Sequence, residues 1–126
     1  IHKDLSGFLN RELDFFIKNE VLFLDDIDEI EFMPELENSR GNRWLTALTF
    51  EKSDFNKIMK SLEEINVESR PLWKPMHMQP LFKGSKNYLD GTSEELYKKG
   101  LCLASSTIMT KDDVKMICDV IRDNLD

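Results

Sequence analysis

Three of the chain's four prolines fall inside one short run, Arg70-Pro71-Leu72-Trp73-Lys74-Pro75-Met76-His77-Met78-Gln79-Pro80. Each proline fixes φ near −65° and removes a backbone donor, so this run cannot be a helix interior or a central strand. It divides 126 residues, the size of one domain, into two flanks that must build a single small core between them.

The flank before it reads as helix, strand, strand, helix. Leu5, Leu9, Leu13, Phe16 and Ile17 recur at three- and four-residue steps, which predicts an amphipathic helix continued by the apolar patch Val21 to Leu24. Asp25, Asp26, Asp28, Glu29 and Glu31 read as a solvated acidic face. Glu29 to Met33 alternates as a strand closed by Pro34, Glu35 to Asn42 reads as a loop, and Trp44 to Phe50 is a central strand rich in β-formers. Ser53 is the expected N-cap of a helix whose stripe is Phe55, Ile58, Met59, Leu62 and Ile65, ended by Asn66. Val67 to Leu72 reads as an extended edge segment, and Trp73 to Phe82 as no ordinary strand or helix.

Beyond the loop from Lys83 to Gly91, Thr92 and Glu95 predict a capping box for a short helix stopping at Gly100. Leu101 to Leu103 is a short strand, and Thr110 with Asp113 caps a last helix striped by Val114, Ile117, Cys118, Ile121 and Leu125. The economical fold is α+β: a two-layer sandwich of a small antiparallel or mixed sheet with helices packed on one face.

Hydrophobic residues at 40% and charged ones at 33% exclude a disordered or collagen-like chain, and a net charge of −7 argues against nucleic acid as a partner. No apolar run approaches the roughly 18 residues of a membrane helix, and no secretory signal opens the chain. Two cysteines, Cys102 and Cys118, make no disulfide framework, so a cytoplasmic setting is expected. A start at Ile1 without methionine is what processing, tag removal or excision from a longer protein would leave.

Single residues point weakly to chemistry. Met76-His77-Met78 offers soft ligands, but in an extended segment His77 would lie opposite both methionines. Cys102 with His77 as base has no supporting spacing, and Gly84-Ser85-Lys86 lacks the rest of a phosphate loop. Ser105-Ser106-Thr107 could bind an anion or satisfy local backbone. The proline-braced loop differs in kind, because proline fixes polar heads in place. Arg70, Trp73, Lys74, His77 and Gln79 there suit a polyanionic or sugar ligand. The same residues also suit an edge crossover whose Trp73 plugs the core, and residue types leave both readings open.

The run from Glu68 to Pro80, Lys-Pro-Met-His-Met-Gln-Pro above all, resembles the C-terminal region of the DegT/DnrJ/EryC1/StrS sugar-nucleotide aminotransferases. Ile30 to Glu35 and Asn42 to Thr46 agree before it. Gly100 to Leu103, Ser105-Ser106 and Thr110 agree after it, and Ala104 stands where relatives commonly have proline. The resemblance implies one domain over residues 1–126, the smaller C-terminal part of a fold-type I enzyme whose large cofactor-binding domain is absent. It implies pyridoxal phosphate in the full-length protein and none on this chain. The implied reaction moves an amino group from glutamate to a nucleotide-linked keto-sugar for polysaccharide, glycan or antibiotic-sugar synthesis, in a full-length homodimer. No segment matches the Schiff-base lysine, and Lys52, Lys57 and Lys60 are not expected to replace it, so the isolated chain is expected to be inactive. His77, Arg70, Lys74 and Gln79 are the implied substrate-binding residues, with Asn42 and Arg43 anchoring a strand. A non-catalytic ligand-binding or dimerisation module of the same fold is the alternative.

Overall fold

The computed structural model of the chain describes residues 23–39, 41, 44–106 and 108–126. The helix expected from Leu5 to Ile17, and Val21, Leu22, Asn42, Arg43 and Thr107, lie outside them.

Four strands form one antiparallel sheet in the order β1-β2-β4-β3: β1 (Ile30–Phe32), β2 (Thr46–Phe50), β3 (Arg70–Pro71) and β4 (Gly100–Leu103). Ile30 faces Phe50 across β1 and β2, and Leu48 faces Leu101 across β2 and β4. The expected central strand is therefore β2, and the last strand, β4, is its central partner. The proline-bearing segment holds the edge, where a missing donor costs no ladder bond.

Three helices lie wholly within the described residues: α1 (Phe55–Glu64), α2 (Thr92–Lys99) and α3 (Lys111–Asp123). Phe55, Ile58 and Leu62 of α1 and Val114, Ile117, Cys118 and Ile121 of α3 meet Leu24, Ile30, Leu48, Phe50, Leu101 and Leu103 in one core. Each such side chain contributes about 1.5–3 kcal/mol on leaving water, so this layer of two helices against one sheet face is the apolar core of the described residues. The α+β two-layer reading is the fold observed.

Three local expectations need correction. Asp54, not Ser53, caps α1, its carboxylate accepting from the Asn56 N–H at 2.9 Å. Ser53 is buried instead, donating to Glu29 Oε1 at 2.7 Å while accepting from the Asp126 N–H at 2.9 Å. Glu29 is thus a buried tie between the start of β1 and the C-terminal end, not part of a solvated face. The Thr92–Glu95 box does not form: Gly91, left-handed at φ 88°, precedes α2, and Asp90 accepts from the Thr92 N–H at 3.0 Å. The Thr110–Asp113 box does form, its amide and hydroxyl donors holding the Asp113 carboxyl below the usual range. Left-handed Asn66, at φ 59°, ends α1. Among the described residues no helix is long and apolar enough to cross a membrane.

Candidate functional site: an aromatic cleft beside the proline-braced loop

Alternation along β4 sends Leu101 and Leu103 into the core and Cys102 to the opposite face. On that face a cleft of 710 Å³ opens, walled in part by Cys102, Pro71, Leu72 and Ala104. Its rim is aromatic. Trp44 enters just before β2 and Trp73 leaves just after β3, with ring centroids 6.4 Å apart and planes tilted by 39°. Tyr97 reaches the cleft from α2. Both indoles are largely exposed, Trp44 at 73% and Trp73 at 65%, so Trp73 does not plug the core. The Trp44 carbonyl is held by the Ser105 hydroxyl at 2.6 Å, and Ser106 Oγ accepts from the Ile108 N–H at 3.5 Å. Ser106 therefore satisfies local backbone, whereas Ser105 ties a carbonyl 61 residues away at the entrance to β2.

Arg70 and Lys74 both line the cleft. Arg70 is exposed, and its Nε donates to Glu68 Oε1 at 2.8 Å. After Lys74 the chain folds into two 3₁₀ turns, Met76–Met78 and Pro80–Phe82. The expected extended Met-His-Met alternation is therefore replaced by a turn, because Pro75 and Pro80 preset φ on either side of it. The Gln79 side chain donates to the Lys74 carbonyl at 3.1 Å, tying this turn back to the cleft rim.

His77 does not line the cleft. It sits half-buried on the adjoining turn, its Nε2 2.9 Å from Glu94 Oε1 in the first turn of α2. A carboxylate can only accept, so Nε2 carries the proton and Nδ1 is left as the ring's second polar atom. The structure thus gathers Arg70, Lys74 and the two tryptophans around one space, with His77 and Gln79 on the neighbouring turn. Sequence reasoning passed over Trp44, Tyr97 and Glu94. Only the aromatic type of Trp44 at a strand entrance could have signalled the first of these.

Among the described residues no three His, Cys, Asp or Glu side chains are grouped to hold a metal ion. Burial pushes the Cys102 thiol up, away from the thiolate a nucleophile needs. Pyridoxal phosphate needs an amine for its aldehyde, donors for its phosphate and a partner for its ring nitrogen. Among the described residues the cleft offers Lys74 as an amine, but its carboxylate, Glu68, is engaged by Arg70. That set does not fit the cofactor.

A model of the DegT/DnrJ/EryC1/StrS aminotransferase family matches residues 21–122. A Bacillus subtilis (strain 168) protein named "Putative pyridoxal phosphate-dependent aminotransferase EpsN" is 40% identical over 104 residues, 78% of this chain and 26% of EpsN. The chain therefore spans about a quarter of the length of that curated relative. Among solved structures, S. venezuelae DesV in complex with a ketimine intermediate overlays with TM-score 0.79 at 12% identity, covering 90% of this chain and 31% of DesV. Helicobacter pylori PseC, an aminotransferase of pseudoaminic acid biosynthesis, overlays with TM-score 0.77 at 13% identity, covering 91% of this chain and 32% of PseC. At such identities the overlays show a shared fold, and the family match shows kinship: this chain belongs to the DegT/DnrJ/EryC1/StrS aminotransferase family.

Proposed function

We propose that this chain works as the smaller, C-terminal domain of a pyridoxal-phosphate aminotransferase that moves an amino group from glutamate to a nucleotide-linked keto-sugar. The observation that carries this reading is the proportion of the matches. The family match takes in most of the chain, while the chain corresponds to only 26% of EpsN and 31% of DesV. The cofactor, its lysine and the main dimer contacts then belong to the polypeptide that this chain lacks, in a cytoplasmic enzyme.

The chain's own contribution is binding and orientation. Lys74 and Arg70 supply positive charge for phosphate groups, against a chain of net charge −7. Glu94 fixes the His77 ring through Nε2 and leaves Nδ1 to meet a polar group of the sugar. Gln79 holds the turn that carries His77 against Lys74. Because these groups orient substrate without holding the cofactor, the chain alone is inactive.

The test is chemical trapping. The 126-residue chain, incubated with pyridoxal phosphate and reduced with borohydride, is expected to give no stoichiometric pyridoxyl adduct at any one lysine. A single lysine labelled to completion, found by peptide mass mapping, contradicts the assignment.

A further inference from the structure

We infer that Met76 is an oxidation site: a hydroperoxide converts its thioether to the sulfoxide, and the new oxygen draws the Gln79 side-chain amide off the Lys74 carbonyl. This is sulfur chemistry on the chain itself, and it stands or falls whatever reaction the complete polypeptide performs.

Burial sorts the sulfur atoms of the described residues. Cys102 and Cys118 are both buried, and burial pushes the Cys102 thiol up, so a peroxide finds no exposed thiolate to react with first. A thioether needs no deprotonation, and its oxidation follows access. Met59, Met78 and Met109 are half-buried. Met33 and Met116 are 43% and 42% exposed, and Met76 leads them at 57%.

The backbone then gives Met76 a partner that the other exposed methionines do not share. A 3₁₀ turn sets residues i and i+3 above one another, and Gln79 ends the turn that Met76 begins. Gln79 Nε2 donates to the Lys74 carbonyl at 3.1 Å and to Met76 Sδ at 3.5 Å. One planar amide thus serves two acceptors, and the carbonyl holds it because a thioether accepts only weakly.

In the reaction a lone pair on Met76 Sδ attacks the terminal oxygen of the hydroperoxide. An S–O bond forms and the O–O bond breaks. The departing oxygen takes the proton and leaves as water or an alcohol. Sulfur is oxidised by two electrons and the peroxide reduced by two. The product is polar where the thioether was not, and its oxygen accepts strongly beside Nε2. Hydrogen bonds weaken steeply below about 120°, so an amide turned toward that oxygen loses the Lys74 carbonyl. Lys74 lines the cleft, so oxidation one turn away loosens the cleft rim. Methionine sulfoxide reductases reverse the change.

The test treats the ¹⁵N-labelled 126-residue chain with hydrogen peroxide. Tandem mass spectrometry of its peptides is expected to show Met76 oxidised about threefold or more faster than Met59, Met78 or Met109. The Gln79 side-chain amide resonances, identified by their absence in Gln79→Glu, should shift in step with Met76 oxidation and return after reductase treatment. In Met76→Leu, folded by circular dichroism, peroxide should leave them in place. Met76 oxidised no faster than the half-buried methionines overturns the inference. So do Gln79 resonances unmoved at full Met76 oxidation, or a peroxide shift that persists in Met76→Leu. The same mapping on the complete polypeptide should again find Met76 oxidised; protection there, with Met33 or Met116 oxidised, would also overturn it.

Discussion

Replacing Gly100 by alanine is expected to cost about 3 kcal/mol and to lower the melting midpoint by roughly 10 °C. Gly100 sits at the junction of α2 and β4, buried, with an ordinary extended backbone at φ −109° and ψ 141°. Its requirement is space, not conformation. A Cβ there would lie 2.0 Å from Leu72 Cδ1 and 2.6 Å from the Leu96 carbonyl oxygen. The leucine side chain can rotate, but the carbonyl belongs to the last turn of α2 and moves only if that turn unwinds. Gly100 also pairs with Thr49 in the sheet and accepts from the Leu72 N–H at 3.0 Å, so the strain would spread to the cleft wall. Thermal denaturation followed by circular dichroism measures the effect. A midpoint unchanged within 2 °C (about the resolution of such a scan) would show that α2 is not seated on β4 as described.

The largest functional effect is expected at His77. In the complete enzyme, His77→Ala should lower kcat/KM for the keto-sugar at least tenfold, a loss of about 1.4 kcal/mol or more in transition-state binding. The melting midpoint should fall far less than with Gly100→Ala, because His77 is outside the core and its ring bonds one carboxylate on a short helix. Glu94→Gln keeps an acceptor oxygen for Nε2 and should lose only about threefold. Steady-state kinetics beside a melt separates the roles. If His77→Ala instead reduces the folded yield while the soluble remainder keeps full specific activity, the His77–Glu94 pair is a structural tie only.

Much of the fold was legible because hydrophobic periodicity is local. The stripes Phe55-Ile58-Leu62 and Val114-Ile117-Ile121 are buried as their spacing implied, and the Thr110–Asp113 box needs only four neighbouring residues. The misreadings share one cause, partners distant in sequence. Ser53 looks like a cap until Glu29 and the Asp126 amide, 24 and 73 residues away, claim its hydroxyl. Glu29 looks solvated for the same reason. The prolines around Met-His-Met forbid regular structure without saying which turn replaces it, so an extended geometry there is only one option and the 3₁₀ turn is not legible. The cleft was half visible: Arg70, Trp73 and Lys74 are neighbours in the chain. Trp44 joins them only through the β2-β4-β3 order, and Tyr97 only through the seating of α2, neither of which a single sequence displays.

The central claim is that this chain orients a sugar nucleotide for chemistry performed elsewhere in the polypeptide. Amino transfer from glutamate to a nucleotide-linked keto-sugar, followed as 2-oxoglutarate release, tests it most directly when the complete polypeptide and the 126-residue chain are compared with added pyridoxal phosphate. The account predicts turnover by the complete polypeptide and none by the chain alone. Turnover by the chain alone, or a complete polypeptide that folds and binds the cofactor yet aminates no sugar nucleotide, would contradict it.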